Sequence, residues 1–160
     1  MAEARIQKSA MSALHLLHRA GQRADELFAD QVGQSDLTPR QFAVLRAVTM
    51  AEEPSQTDLV ETTGIDRSTL ADIVRRLVER GLVQRKRTRR DARMYAVRLT
   101  ANGQAALKSA EPAAKKTDER LLSALSMQER DMFLKALDRI VAISGEGEAS
   151  RATVAKTTRR

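Results

Sequence analysis

Side chains that could bind a polyanion are concentrated in one fifth of this chain. Residues 66–98 hold eleven arginines and lysines and four acidic residues, a net charge of +7, which equals the net charge of the whole 160-residue sequence. Guanidinium groups bind phosphate oxygens and the edge of guanine, and neighbouring hydroxyls can do the same. This concentration favours nucleic acid as a partner, with a membrane surface second. A solvated surface run is the alternative interpretation.

The sequence lacks the residues that several other kinds of chemistry require. It contains no cysteine, which excludes disulfides, thiolate metal sites, cysteine nucleophiles and thiol redox sensing. It offers no nucleophile–histidine–acid set and no glycine-rich phosphate loop, so we expect neither an enzyme nor a cofactor. No apolar run approaches the roughly 18 residues of a membrane span. The N-terminus also lacks the apolar block of a secretory signal, so we expect a cytoplasmic protein.

The basic segment lies within a series of short helices that would position it. Thr38-Pro39-Arg40-Gln41 predicts the capped start of the second helix. Ser55 is the predicted cap of the third helix, which is brief because Gly64 follows. Asp66 is the predicted cap of the fourth helix, which ends at Gly81. The third and fourth helices, joined by a short turn, form a helix-turn-helix pattern.

After the fourth helix, the side chains no longer follow the helical spacing of three and four residues but alternate at every second residue. Leu82-Val83 leads into the basic run Gln84–Asp91. In residues 94–99, one set of side chains (Tyr95, Val97 and Leu99) then alternates with another (Met94, Ala96 and Arg98). This pattern predicts a two-stranded hairpin with a charged tip at residues 89–92. The sequence therefore predicts a mainly α fold with a two-stranded β wing, a winged helix-turn-helix DNA-binding domain over residues 35–99.

Longer helices are predicted on both sides of this domain. An apolar stripe predicts one helix from Ile6 to Phe28. Thr100 is the predicted cap of a second, broken near Pro112. A capping box at Ser126–Glu129 opens a last helix. The apolar face of that helix consists of Met132, Phe133, Ala136, Leu137, Ile140 and Val141. Residues 145–160 have the composition of a disordered, mildly basic tail.

Helical geometry selects the side chains of the fourth helix that would meet DNA. If the apolar side of this helix faces the core, about 100° per residue puts Ser68, Asp72 and Arg75 on the opposite side. Thr69 and Arg76 flank them. In a winged helix the second helix of the motif lies in the major groove, and the hairpin follows the backbone or enters the minor groove. The residues that would face the core are Leu70, Val74 and Leu77. The DNA-binding candidates are Ser55, Gln56, Thr57, Arg67, Ser68, Thr69, Asp72, Arg75, Arg76, Arg87, Arg89, Arg90, Asp91 and Arg93.

Asp72 allows two interpretations. Its carboxylate could accept a hydrogen bond from the amino group of cytosine. It could instead organise Arg75 or Arg76, which stand three and four residues further along the same helix. The sequence leaves both interpretations open.

The hairpin arginines divide into two predicted roles. Arg87, Arg89 and Arg90 are expected to touch phosphates rather than bases, because a basic hairpin tip positions a protein and does not specify sequence. Arg93 could enter a narrow minor groove, where the potential is most negative. Asp91, two residues away, could orient that guanidinium group.

The sequence resembles the MarR family of winged-helix transcriptional regulators over about residues 37–107. The resemblance lies in LTPRQFAVL (37–45), the helix pair from Thr57 to Leu70, RLVERGLVQR (76–85) and DARMYAVRLTANG (91–103). The last of these matches the family's Asp-x-Arg wing, followed by a strand and a Leu-Thr-x-x-Gly helix start.

The resemblance implies a homodimeric regulator, here expected to be a repressor, that binds a pseudo-palindromic operator on double-stranded DNA. Residues 1–34 and 100–144 correspond to the family's dimerisation helices. Arg67, Ser68 and Thr69 stand at the start of its recognition helix. Where many members have a Thr-Arg pair in that helix, this chain has Ala71-Asp72. Base preference therefore does not carry over, and Arg75 or Arg76 could supply the missing contacts.

The resemblance also implies release by a small-molecule effector, such as an aromatic acid, bound between the dimerisation helices and the DNA-binding domain. His15, His18 and Arg19 are the candidate effector contacts, although surface or interface positions are the simpler interpretation of all three. His15 and His18 have a spacing that could suit a metal, but no third ligand is nearby in the sequence, and no metal is predicted.

Overall fold

The computed structural model describes residues 11–33, 36–88 and 94–157, with side chains up to residue 143. Within these residues it has six helices and two strands. In chain order they are α1 (Ala13–Val32), α2 (Pro39–Thr49), α3 (Gln56–Thr63), α4 (Arg67–Glu79), β1 (Val83–Arg87), β2 (Tyr95–Leu99), α5 (Ala101–Leu122) and α6 (Met127–Thr157). The chain divides into two compact units, Met1–Asp118 and Glu119–Arg160. The predicted mainly α fold with a two-stranded wing is confirmed.

The helix starts are set by local hydrogen bonds that the sequence predicts. At α2 the Thr38 hydroxyl accepts from the Gln41 amide, and the Gln41 side chain accepts from the Thr38 amide, both at 3.2 Å. Ser55 and Asp58 form the same reciprocal box at α3. Asp66 caps α4 by accepting from the Thr69 amide at 2.9 Å. These side chains satisfy amide groups that a helix start would otherwise leave without a partner.

The core of the first unit is built where the apolar faces of α2, α3 and α4 meet. Leu45, Leu59, Leu70 and Leu77 are fully buried, as is Val74. The predicted inward face of α4 is therefore confirmed. Burying such side chains contributes about 1.5–3 kcal/mol each, which fixes α4 firmly enough to present its opposite face to a partner.

The wing is an antiparallel pair in which Val83 lies opposite Leu99 and Arg87 opposite Tyr95. Its second strand is attached to the segment that precedes α3. The Val97 amide donates to the Pro54 carbonyl at 2.9 Å, and Arg98 forms an ion pair with Glu53. The wing and the helix-turn-helix are thus joined at the base of β2.

The start of α5 packs directly on the beginning of the wing. The Thr100 hydroxyl donates to the Gly81 carbonyl at 2.6 Å and accepts from the Gly103 amide at 3.0 Å, which confirms Thr100 as the cap. A Cβ atom at Gly103 would collide with the Leu82 carbonyl oxygen. Only glycine allows this approach of helix to backbone.

Two predictions about the C-terminal half were wrong. Helix α5 continues through Pro112 instead of breaking there. Pro112 is exposed, while Ala110 and Ala113 beside it are buried, so packing offsets the one hydrogen bond that proline cannot make. Residues 145–157, predicted to be disordered, continue helix α6. The alanine, glutamate, arginine and lysine residues of this segment favour extension of a helix that is already formed.

Both flanking regions carry apolar side chains on their surfaces. On α1, Leu14, Leu16 and Leu17 are exposed, with 80% of Leu14 accessible. On α6 the exposed apolar residues include Met132, Phe133, Ile140 and Val141. The predicted first helix begins at Ala13, after its cap Ser12, and residues 6–10 of that prediction lie outside the described residues. Among the residues that the structure describes, none of the helices is long and apolar enough to cross a membrane.

Candidate nucleic-acid interface

The start of α4 is organised around Asp66. Its Oδ1 atom accepts from the Ser68 hydroxyl at 2.6 Å and from the Thr69 amide at 2.9 Å. These bonds, that of Ser68 first, hold the pKa of Asp66 well below its ordinary value. The hydroxyl hydrogen of Ser68 is therefore committed to Asp66, which leaves its oxygen free to accept from a partner. Arg67 is exposed at the same end of the helix.

The exposed face of α4 carries a connected set of ion pairs. Asp72 Oδ1 lies 2.5 Å from Arg75 Nη2, and Asp72 Oδ2 lies 2.8 Å from Arg76 Nε. Arg75 Nη1 lies 2.7 Å from Glu79 Oε1. We call these four residues the α4 ion-pair cluster. The hydrogen bond from Arg75, followed by the charge of Arg76, keeps the pKa of Asp72 below its ordinary value, and Asp72 in turn raises the pKa of Arg75.

The α4 ion-pair cluster has no net charge, because two guanidinium groups face two carboxylates. Its side chains nevertheless remain 43–61% accessible. Of the two interpretations of Asp72, organisation of Arg75 and Arg76 is the one that the geometry of the chain displays. The guanidinium groups keep further N–H donors beyond those used in the pairs, so they remain able to bind a base or a phosphate.

The start of α3 has less capacity for outside contacts than its residue types suggest. The Ser55 amide and hydroxyl both donate to Asp58 Oδ2, at 2.7 and 2.8 Å. The Gln56 Nε2 atom is buried and has no hydrogen-bond partner among the described residues. Thr57 is exposed. Ser55 thus serves the fold as a cap, and Thr57 is the most accessible of the three predicted contacts.

The first wing strand presents cations of a different kind. Arg85, Lys86 and Arg87 are all exposed, and none forms an ion pair with another described residue. The Arg87 guanidinium group lies 6.0 Å from the centroid of the Tyr95 ring across the hairpin, a distance at which cation and ring attract. We call these three residues the β1 cations.

The predicted tip residues Arg89, Arg90, Asp91 and Arg93 lie outside the described residues, so their roles stay predictions. The structure describes the hairpin up to Thr88 and from Met94 onward. The Thr88 amide donates to the Met94 carbonyl at 2.9 Å. The two strands are therefore still paired where the described residues end. In the sequence, the tip residues come after the β1 cations and Thr88.

The three candidate effector contacts lie on α1. His15, His18 and Arg19 are all exposed, and their predicted role remains untested. No group of three histidine, cysteine, aspartate or glutamate side chains in the described parts of the chain could hold a metal ion.

Sequence reasoning missed two structural uses of arginine. Arg98 belongs to the basic segment but is paired with Glu53, and both side chains are less than one-third exposed. Arg80 donates to the Asp36 carbonyl at 3.2 Å and to Gln41 Oε1 at 3.1 Å. A charged residue within an apolar strand was the available signal for Arg98. No local pattern identifies a partner about 45 residues away.

A helix-turn-helix whose second helix exposes a polar face, followed by a basic hairpin, defines the class of winged-helix DNA-binding proteins. The sequence model of the MarR family matches residues 35–94. The chain is 35% identical over 127 residues to the HTH-type transcriptional repressor NicR of Pseudomonas putida, covering 79% of this chain and 80% of NicR. The chain belongs to the MarR family of transcriptional regulators, which is not a family of enzymes, and the resemblance seen in the sequence is confirmed.

Two solved structures of similar proteins carry information about partners. The transcriptional repressor CouR, bound to a 23-mer DNA duplex, is 33% identical with a TM-score of 0.72, covering 81% of this chain and 92% of CouR. BpsR of Bordetella bronchiseptica, whose DNA binding is regulated by 6-hydroxynicotinic acid, is 30% identical with a TM-score of 0.74, covering 82% of this chain and 95% of BpsR.

Proposed function

We propose that this chain is a dimeric, sequence-specific repressor that binds a pseudo-palindromic operator and is released by a small aromatic acid. The observation that carries the proposal is the combination of an exposed polar face on α4 with the exposed β1 cations that follow it in the chain. One surface offers groups suited to base edges and the other offers groups suited to phosphates. The repressor NicR and the DNA-bound repressor CouR support the same assignment.

In the proposed complex, α4 enters the major groove with Arg67, Ser68 and Thr69 foremost, and Arg75 and Arg76 reach further base edges. Thr57, with Ser55 and Gln56 beside it, contacts the backbone. Arg87 and the tip arginines Arg89 and Arg90 contact phosphates, and Arg93, oriented by Asp91, enters the minor groove.

The exposed apolar side chains of α1 and of α6 support a dimer, because each is an apolar surface that a second copy could cover. Two copies related by a two-fold axis place two α4 helices in successive major grooves. The half-sites would then lie about 10 base pairs, one helical turn, apart.

An effector can release the operator only if it binds the DNA-free arrangement of the dimer more tightly than the DNA-bound one. The regulation of BpsR by 6-hydroxynicotinic acid supports an aromatic acid as the class of ligand. Arg19 would pair with its carboxylate, and His15 and His18 would complete the contacts.

The test is to select a preferred duplex from a random-sequence pool and then to compare its affinity with that of random duplex by fluorescence anisotropy. At about 150 mM salt, a sequence-specific regulator should prefer the selected duplex by about a thousandfold or more. Similar affinities for both duplexes would contradict the proposal and favour a non-specific architectural DNA-binding protein. Light scattering should give twice the 17.7 kDa chain mass, and a monomer would contradict the dimer.

A further inference from the structure

We propose that Asp72 is a positioning residue that sets the sequence specificity of α4 by holding Arg75 and Arg76, without touching a base itself. The inference rests on the proposed function, since it concerns how the same interface separates its operator from other DNA. The new element is the role of an acidic residue: Asp72 suppresses binding to DNA of the wrong sequence.

One carboxylate on α4 holds two arginines. Each oxygen of Asp72 takes a different guanidinium group, at 2.5 Å for Arg75 and 2.8 Å for Arg76. Glu79 holds Arg75 from the other side at 2.7 Å. Both arginines therefore lie along the helix surface in the free chain, and neither is available as an unpaired cation.

The Asp72 ion pairs should weaken the attraction between α4 and DNA of unfavourable sequence. Non-specific binding depends almost entirely on the attraction between cations and phosphates. A phosphate that approaches α4 meets the like charge of Asp72 as well as the arginines, and it must compete with two carboxylates for Arg75. The α4 ion-pair cluster should therefore add little to non-specific binding, which is left to the β1 cations, the rest of the wing and the exposed Arg67.

The same ion pairs are compatible with binding to the operator. Each guanidinium group retains N–H donors that the ion pairs do not use, and guanine presents two acceptors, O6 and N7, to one arginine in the major groove. An arginine already oriented by a carboxylate loses less conformational freedom when it binds such a pair of acceptors. The specific complex can thus keep the Asp72 pairs, so Asp72 lowers affinity for random DNA more than affinity for the operator.

The experiment compares Asp72→Asn with Glu26→Gln. Glu26 pairs with Arg23 on α1 at 2.9 Å with the same three-residue spacing and an exposed surface, and its substitution changes the net charge of the chain by the same amount. For Asp72→Asn we expect affinity for random duplex to rise about fivefold and its log–log salt slope to steepen by about one. Affinity for the selected duplex should change less than about twofold, so the ratio of the two affinities falls about fivefold. Glu26→Gln should leave that ratio unchanged.

A second comparison tests whether Asp72 acts through the arginines. In an Arg75→Gln, Arg76→Gln background, Asp72→Asn removes only the repulsion between its own charge and the phosphates, so affinity for both duplexes should rise alike and the ratio should no longer change. Circular dichroism and the Tm of each variant establish that it is folded, which is expected because all three residues are exposed or half-exposed.

Three results would overturn the inference, and they are distinguishable. If Asp72→Asn weakens only the selected duplex, and still does so without the two arginines, Asp72 contacts a base directly. If Asp72→Asn and Glu26→Gln behave alike, only the net charge of the chain matters. If the wild-type chain shows no sequence preference at all, the proposed function itself fails and this inference fails with it.

Discussion

The two arginines of the α4 ion-pair cluster and the three β1 cations are similar in type and close in sequence, but the first set is paired with carboxylates and the second is not. On α4, side chains three and four residues apart share one face, so Asp72 and Glu79 neutralise Arg75 and Arg76. On β1 the partner is chosen by strand register. The residues opposite the β1 cations are Val97, Ala96 and Tyr95, none of which is acidic, so these cations stay unpaired among the described residues.

This difference changes the meaning of the chain's net charge. All of the +7 falls on residues 66–98. Among the described residues of that segment, a phosphate would meet exposed cations without a carboxylate partner at Arg67 and at the β1 cations, and not at the α4 ion-pair cluster. Under the proposed function, non-specific attraction and base recognition would therefore depend on different elements. Such a separation allows one to be altered with little effect on the other.

The largest expected effect comes from removing the β1 cations together. Arg85→Gln, Lys86→Gln, Arg87→Gln should lower affinity for selected and random duplex alike by about a hundredfold at 0.1 M salt. The salt slope should become shallower by about two to three, because each phosphate that is no longer neutralised reduces it by about 0.9. Anisotropy titrations from about 50 to about 200 mM salt measure both effects.

The matched control for that variant is Arg75→Gln, Arg76→Gln, which removes two cations that are already paired. Its salt slope for random duplex should change by less than about one, while its preference for the selected duplex falls. If the two variants alter the slope equally per cation removed, the contrast between α4 and β1 does not survive.

A smaller effect on DNA binding is expected at Arg98, a basic residue whose guanidinium group is paired within the fold. Arg98→Met removes the guanidinium group that pairs with the mostly buried Glu53 carboxylate, which should lower the free energy of unfolding by about 1–3 kcal/mol. Denaturant titration measures this decrease. The salt slope for random duplex should stay as in the wild type, and a shallower slope would show that Arg98 also reaches phosphates.

The contrast between α4 and β1 also shows which features of the fold and the site can be predicted from the sequence alone. Caps at Thr38, Ser55 and Asp66 were predictable because each depends on a contact within three residues. The role of Asp72 stayed open because cytosine and arginine are both suitable partners for a carboxylate, and the pairs with Arg75 and Arg76 that it forms in the free chain depend on side-chain conformations. The partner of Arg98 was not predictable, since it lies 45 residues away.

The predictions that failed did so for a related reason. Pro112 indicated a break in one helix, and the composition of residues 145–160 indicated a disordered tail, but neither local signal takes account of the rest of the helix. Buried neighbours offset the first signal in α5, and good helix formers offset the second in α6. The roles of the tip residues and of the α1 histidines depend on partners outside the chain, so they remain predictions.

The smallest expected effect is a difference between α4 and β1 in their response to acid. Hydrogen bonds from Ser68 and from Arg75 hold the pKa values of Asp66 and Asp72, respectively, below the ordinary value of 3.8. A carboxyl group with a lowered folded-state pKa stabilises the fold above its unfolded pKa, and this stabilisation is lost as the pH falls through the folded pKa. The difference in unfolding free energy between wild type and Asp66→Asn, Asp72→Asn should therefore be constant from about pH 8 to about pH 5 and shrink below about pH 4. The difference between wild type and the β1 variant Arg85→Gln should stay the same across that range, because arginine does not titrate there. Urea titrations at each pH measure both differences, and a pH-independent first difference would show that these carboxylates are no better stabilised in the folded chain than in the unfolded one.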